Sequence, residues 1–445
     1  MTIKTVVLIG LAPLCAAILG VQKNELRSAD LLDGLWTFVR ERSNSDDVGL
    51  KAAWHALDLT KFLNATVMPV PAAFNDLSAD AELRDHVGWV WYQTSVIIPE
   101  RDIGQRIALR FGSVNYYAKV ITVAVNNTLS WATIPQGDFN YMRDSTRNIS
   151  GRNVELIVPL EQLRLDVYRQ KFGFRTVDWT KTQILINEKP FYCLGFGMHE
   201  DFEIHGRGYN PVVMTKDLNL LEWMGGNCYR TTHYPYAEER MAESDRRGIA
   251  VVVETPAVGL KGFSKENNLL HLKMLEELIE RDKSHPSAIM WSLANEPRTE
   301  KKESRAYFKN LVDYAHALDK TRPVTIVYGP TNFDNDQTAD LLDVISVNRY
   351  YGWYIDMGQL DWINQSVYWD IAQWSERYKR PIMVTEYGAD SLPGLNQEPS
   401  VDFSEQYQND LIVRTHHAFD ALRKDHHLAG EMIWNFADFM TGMST

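Results

Sequence analysis

The sequence predicts an antiparallel β-sandwich or jelly roll followed by a (β/α)8 barrel, a combination of all-β and α/β classes. Up to about residue 128, short runs alternate apolar and polar residues, the period of half-buried strands. From about residue 182, short continuous apolar runs alternate with helical stretches, as buried parallel strands do in α/β proteins. There are eight such runs, the number on which a barrel of about 250 residues closes.

The first element stands apart. Lys4 gives a positive start, Val6 to Leu19 is mostly apolar, and Cys15-Ala16-Ala17 supplies small residues for cleavage. Residues 1–20 therefore read as a secretory signal peptide, short for a membrane span. Sequons at Asn64, Asn126, Asn148 and Asn364 fit that route. Gly88–Pro99 is rich in aromatic and β-branched residues, and Arg106–Gly112 and Tyr116–Asn126 alternate, with turn signals between them. Between Ser130 and Gln170 the pattern thins to polar residues with one apolar patch at Val154–Leu163.

The barrel strands are expected at Phe191–Gly197, Asn227–His233, Ile249–Glu254, Ala288–Ala294, Val324–Tyr328, Val344–Asn348, Ile382–Glu386 and Gly430–Trp434. Helices are expected at Asp217–Trp223, Ala237–Arg247, Leu269–Asp282, Glu303–Leu318, Trp369–Arg377 and Tyr407–Arg423.

Composition narrows the function. Hydrophobic residues are 45% and charged residues 23%, so the chain can bury a core. A net charge of −12 argues against nucleic acid, which selects a basic face. No apolar run beyond the signal segment is long enough to span a membrane. Thirteen Trp and 20 Tyr suit sugar recognition, since a pyranose presents apolar C–H faces. Cys193 and Cys228 alone remain after cleavage, too few for a disulfide scaffold or a Cys-rich metal site.

In a barrel the C-terminal strand ends form the active site. Here they carry His199 and Glu200, Arg230 and His233, Glu254, Asn295 and Glu296, Asn348 with Tyr350 and Tyr354, Glu386, and Trp434 with Asn435. Glu296 and Glu386 each follow an apolar strand, where an unpaired carboxylate costs several kcal/mol. From strands 4 and 7 they can face each other across the barrel mouth. Retaining glycosidases use such a pair, one as acid/base and one as nucleophile, about 5–5.5 Å apart. Asn295 suits a sugar 2-hydroxyl or a strand-end cap. Arg230 suits holding the nucleophile ionised or a structural ion pair, and both can hold. Tyr350 suits a hydrogen bond to the nucleophile or packing, and Trp434 a sugar platform or core. His199 and His233 are not spaced as metal ligands, so no metal is expected.

Several segments carry a family resemblance. Asp33-Gly-Leu-Trp36, Met68-Pro-Val-Pro71, Phe74-Asn-Asp76 and Val87-Gly-Trp-Val-Trp-Tyr92 resemble the N-terminal domain of the β-glucuronidases of glycoside hydrolase family 2. Gly197-Met-His-Glu-Asp201, Arg230-Thr-Thr-His-Tyr-Pro-Tyr236, Trp291-Ser-Leu-Ala-Asn-Glu-Pro297, Asn348-Arg-Tyr-Tyr-Gly-Trp-Tyr354, Thr385-Glu-Tyr-Gly-Ala389 and Trp434-Asn-Phe-Ala-Asp-Phe439 resemble the barrel domain. The resemblance implies a jelly-roll sugar-binding domain at 30–135, an immunoglobulin-like sandwich at 136–181 and the barrel at 182–445. It implies Glu296 as acid/base and Glu386 as nucleophile of a retaining hydrolase of terminal β-D-glucuronosides. It assigns His199, Asn295, Tyr350, Tyr354 and Trp434 to the substrate, with Arg230 and His233 in support. It further implies no cofactor, a carbohydrate as the partner, a homo-tetramer, and a lysosomal or extracellular glycoprotein.

Departures from the family pattern qualify these expectations. Val114–Val120 runs straight into Ile121–Thr128, so the jelly roll is shortened and the second sandwich is a remnant, with only Phe172-Gly-Phe-Arg-Thr176 recognisable. An Asn-x-Lys pair that grips the sugar carboxylate in the family, and the last barrel helix, are not found before Thr445. The expectation is a shortened, internally deleted gene product, poorly stable and weakly active or inactive on glucuronides. A β-galactosidase- or β-mannosidase-like hydrolase and a non-catalytic carbohydrate-binding product are the alternatives.

Overall fold

A computed structural model describes residues 28–42, 48–102, 107–111, 114, 118–121, 155–156 and 173–440. The expected signal segment, the sequons at Asn126 and Asn148, most of the Tyr116–Asn126 run and most of 136–181 lie outside the described residues.

In the N-terminal part, β1 (Gly34–Arg40) pairs antiparallel with both β2 (Thr66–Val70) and β3 (Val90–Gln93). Phe38 of β1 is buried against the rings of Phe74 and Tyr92, and Val39 and Met68 close the small core. Strand β4 (Ile107–Ala108) pairs with β5 (Glu155–Leu156). Of the expected run Gly88–Pro99 only Val90–Gln93 is strand, because only those residues find a partner in β1.

Next comes a three-stranded meander: β6 (Val177–Trp179), β7 (Ile184–Ile186) and β8 (Lys189–Phe191). It corrects the expected start of the barrel. The expected first strand began at Phe191, but Phe191 ends β8 of this meander, and the first barrel strand, β9, spans Cys193–Met198. The meander has a packing reason to exist. Ile184 and Val177 are buried in one cluster with Cys193, Cys228, Val252, Met290, Met383 and Met432 of the barrel interior. It closes the N-terminal end of the barrel and removes that apolar interior from water.

The barrel is closed and all parallel. After β9 comes a hairpin of β10 (Asp201–Phe202) and β11 (Gly206–Arg207). Then follow β12 (Cys228–Thr231), β13 (Ala250–Glu254), β14 (Ala288–Asn295), β15 (Val324–Tyr328), β16 (Ile345–Asn348), β17 (Ile382–Glu386) and β18 (Gly430–Ile433). The ring closes where Gly430 pairs with Cys193 and Ile433 with Phe196. Among the described residues, six helices pack outside the barrel: α1 (Pro211–Trp223), α2 (Glu238–Arg247), α3 (Lys265–Asp282), α4 (Lys302–Leu318), α5 (Ile363–Tyr378) and α6 (Glu405–Lys424). A single 3-10 turn at Ala339–Leu341 lies between β15 and β16.

Local chemistry sets the helix ends. Asn210 caps α1 ahead of Pro211, and Ser264 and Ser404 cap α3 and α6 through their side-chain oxygens. Gly248, at φ 73°, stops α2 in the left-handed conformation that glycine adopts without penalty. The main core lies between helices and barrel and includes the fully buried Trp291 and Trp374. None of the described helices is long and apolar enough to cross a membrane. Cys193 and Cys228, facing inward from neighbouring strands, are joined in a disulfide with their Cα atoms 5.6 Å apart.

Candidate active site

Strand alternation dictates which side chains reach the barrel mouth. On β12 Cys228 faces inward and Tyr229 outward, so Arg230 faces inward. On β13 Ala250 and Val252 face inward, which aims Glu254 the same way. On β14 strict alternation would turn Ala294 inward. Pairing with β15 slips, with Ser292 opposite Thr325 but Asn295 opposite Val327. The extra residue of this β-bulge packs Ala294 into the outer core and delivers Asn295 to the mouth.

Glu296 then takes a left-handed backbone at φ 49°, a conformation non-glycine residues rarely hold. A second bulge serves Glu386. Val347 pairs with Val384, but Asn348 pairs with Glu386, so β17 carries one residue more than β16. Both candidate carboxylates are therefore aimed by bulges at the C-terminal ends of their strands.

The two carboxylates are held differently. Glu386 is buried; its Oε1 accepts from Arg230 Nη2 and its Oε2 from the Tyr350 hydroxyl at 2.6 Å. His233 Nε2 stands 3.9 Å from Oε1. Glu296 is half-buried, and its Oε1 accepts from Asn348 Nδ2 at 2.8 Å. Burial first, and then the nearby Glu386, push the Glu296 carboxyl above the usual carboxylate range. Burial and the Glu386 charge raise the Tyr350 phenol, so it stays a donor.

A buried charge network lies beneath. Arg230 Nη1 donates to Glu254 Oε2 at 2.7 Å and lies 3.4 Å from Asn295 Oδ1. Glu254 also accepts from Ser292 Oγ and from His233 Nδ1, both at 2.7 Å. Burial pushes the Glu254 carboxyl up, but Arg230, His233 and Ser292 overcome it and hold it at about 2. Asn295 accepts from Asn348 Nδ2 at 3.2 Å.

Aromatic rings form one wall. Trp434 stacks on His233, with centroids 5.5 Å apart and planes 17° apart, and meets His199 edge-on. Gly197 makes room for it, since a Cβ there would stand 2.7 Å from the indole. His199 stacks on Phe439 and lies 3.2 Å from the Tyr234 hydroxyl through Nδ1. Burial, helped by the positive groups around it, drops its pKa to about 3, so the ring is neutral. Tyr354 is 72% exposed and packs its ring on Tyr350 at the rim.

The residues given a role from the sequence thus converge on one mouth, with Tyr354 at its edge, whereas Glu200 accepts from the Ala237 N–H and Asn435 donates to the Ala437 carbonyl. Glu254 and Asn348, placed at the strand ends by the sequence but given no role there, are the partners that hold Arg230, His233 and Glu296. Their signal was present, because each closes an apolar strand with a polar side chain. Among the described residues, no three His, Cys, Asp or Glu side chains group as metal ligands.

Residues 177–445 match the family described as glycosyl hydrolases family 2, TIM barrel domain. The chain belongs to glycosyl hydrolase family 2. Within that family it is 33% identical to the beta-glucuronidase of Sus scrofa, over 98% of this chain and 89% of the relative. It is 34% identical to the beta-glucuronidase of Felis catus, over 93% and 85%. The Sus scrofa alignment runs over 580 positions, well beyond the 445 residues here, so that family 2 relative carries internal segments without counterpart in this chain. Among solved family structures, a beta-glucuronidase from an uncultured Clostridium sp. superposes with a TM-score of 0.84 at 30% identity, covering 96% of this chain and 94% of that one. A Ruminococcus gnavus beta-glucuronidase in complex with D-glucaro-d-lactam gives 0.81 at 27% identity, covering 96% and 94%.

Proposed function

We propose that this chain is a retaining glycosidase that hydrolyses terminal β-D-glucuronosides by double displacement, in place of the weak or absent activity expected from the shortened sequence, because both carboxylates and their partners are assembled at the barrel mouth. The observation that carries the mechanism is the contrast between the two carboxylates. Glu386, gripped by Arg230 and Tyr350, is oriented to attack the anomeric carbon. Glu296, whose carboxyl is pushed up by burial and by Glu386, retains a proton to give to the leaving oxygen. Attack forms a glycosyl ester on Glu386 and releases the aglycone alcohol. Glu296, now ionised, takes a proton from water, which displaces Glu386 with net retention. Asn295 and the neutral His199 offer hydrogen bonds to sugar hydroxyls, and Trp434 offers a face to the ring. The glucuronide preference is supported by the relatives, which are named beta-glucuronidases, and by neighbours solved with D-glucaro-d-lactam and coumarin-3-O-glucuronide. The secretory route is supported by the signal-like start and by Asn64 and Asn364, both exposed sequon positions.

The test is turnover of 4-nitrophenyl β-D-glucuronide, β-D-galactoside and β-D-mannoside by the purified chain and by Glu386→Gln. Proton NMR of the first-formed sugar reads the stereochemistry. The expectation is glucuronide cleavage with β-anomer released first, abolished in Glu386→Gln. Saturable glucuronide binding without turnover would replace the hydrolase with a binding protein, and preference for another sugar would replace the substrate.

A further inference from the structure

Arg349 touches neither candidate carboxylate, yet it is buried in the wall directly behind them. Its Nε donates to Asp370 of α5, and the guanidinium lies 5.8 Å from the Trp374 ring. Its Nη1 donates to the carbonyls of Gly329 at 2.5 Å and Asn348 at 2.8 Å, and Nη2 to that of Thr331 at 3.2 Å. One planar, always-charged group thus pins the loop after β15 to the end of β16.

That loop is the backing of Glu296. A Cβ built on Gly329 would stand 2.7 Å from Glu296 Cδ and 2.9 Å from its Oε2. The carboxyl rests against the bare peptide, with Asn348 holding Oε1 from the other side. The Glu296 amide is bound by Val327 of the same β15. Lying past a bulge, Glu296 has little of its own strand to fix its side chain. The backbone N–H of Arg349 also donates to the Glu386 carbonyl at 2.8 Å. Arg349 therefore links the strand of one carboxylate, the amide that grips the other, and the wall behind it.

We propose that Arg349, acting through the Gly329 loop, is a positioning residue that aims the proton of Glu296 at the leaving oxygen. The inference rests on the acid/base role given to Glu296 above. A misplaced acid slows departure of leaving groups that need protonation and spares those that do not. A buried ion pair serving stability alone lowers both equally.

The experiment compares kcat/KM for phenyl β-D-glucuronide and 2,4-dinitrophenyl β-D-glucuronide in the wild type, Arg349→Lys, Gly329→Ala and Glu296→Ala. Arg349→Lys keeps a charge beside Asp370 but cannot reach all three carbonyls. Gly329→Ala leaves that ion pair whole and displaces the carboxyl directly. A shift of about 1 Å costs up to about a hundredfold, so the phenyl substrate is expected to lose about 10- to 100-fold while the dinitrophenyl substrate stays within about threefold. Azide, which attacks without a general base, is expected to raise kcat of the variants and give glucuronosyl azide. Equal losses on both substrates, or none, overturn the positioning role. Should Arg349→Lys not fold, Gly329→Ala alone decides by the same ratio. If Glu296→Ala itself shows no leaving-group selectivity, the acid/base assignment fails. If it does and the other two variants do not, only the role of Arg349 fails.

Discussion

Replacing Arg230 with methionine removes a fully buried cation from between Glu254 and Glu386. The Glu254 carboxyl sits at about 2 in the fold against an ordinary 4.5. At 1.36 kcal/mol per unit, that difference contributes about 3 kcal/mol of stability, with no discount for solvent because the group is buried. The sign follows from the direction. A depressed carboxylate stabilises the fold above pH 4.5 and loses that contribution as pH falls toward 2. Without the guanidinium the largest lowering influence on Glu254 is gone and its carboxyl rises, so the variant forgoes part of the stability that the wild type holds at neutral pH and loses on acidification. The expected deficit of Arg230→Met is about 3–5 kcal/mol at pH 7, and it narrows as the pH falls to 4.5 and below. Equilibrium unfolding in guanidinium chloride at both pH values, followed by intrinsic fluorescence, measures the gap. A deficit that does not change with pH would show that Arg230 acts by packing, and the electrostatic account would be wrong.

Two further outcomes follow from the same geometry. In Asn348→Ala, Glu296 loses the 2.8 Å hydrogen bond that favours its ionised form, so its pKa climbs further. The alkaline limb of the kcat/KM pH profile is expected to move up by about half to one unit, as one hydrogen bond of about 1 kcal/mol allows, and a downward move would refute the assignment. Tyr350→Phe deletes the hydroxyl 2.6 Å from Glu386. A charge-assisted hydrogen bond of about 1.5–3 kcal/mol corresponds to a 10- to 150-fold fall in kcat/KM, and wild-type kinetics would remove Tyr350 from the site.

Much of the barrel was legible because burial on both faces leaves continuous apolar runs. Ile249–Glu254, Val324–Tyr328 and Ile382–Glu386 show it within a residue or so. The polar residues ending those runs also marked the site. The meander at Val177–Phe191 was not legible. Its three-residue strands are too short for a period, and only contact with Cys193, Val252 and Met432 gives them purpose. The N-terminal strands were read too long, since alternation records what a strand tolerates and not where its partner ends.

What the sequence determined by itself is the order of strands and helices, and the set of polar groups delivered to one end of the barrel. Those depend on local hydrophobic period and chain order, which the linear pattern carries. What the tertiary structure decided is where each group points. The bulges before Asn295 and Glu386 exist only in register against Val327 and Asn348. The different environments of Glu296 and Glu386 arise from Arg230, Tyr350 and Asn348, which lie far away in the chain. Carboxylates of the same chemistry become distinct through burial and neighbours, and neighbours are a property of the folded chain.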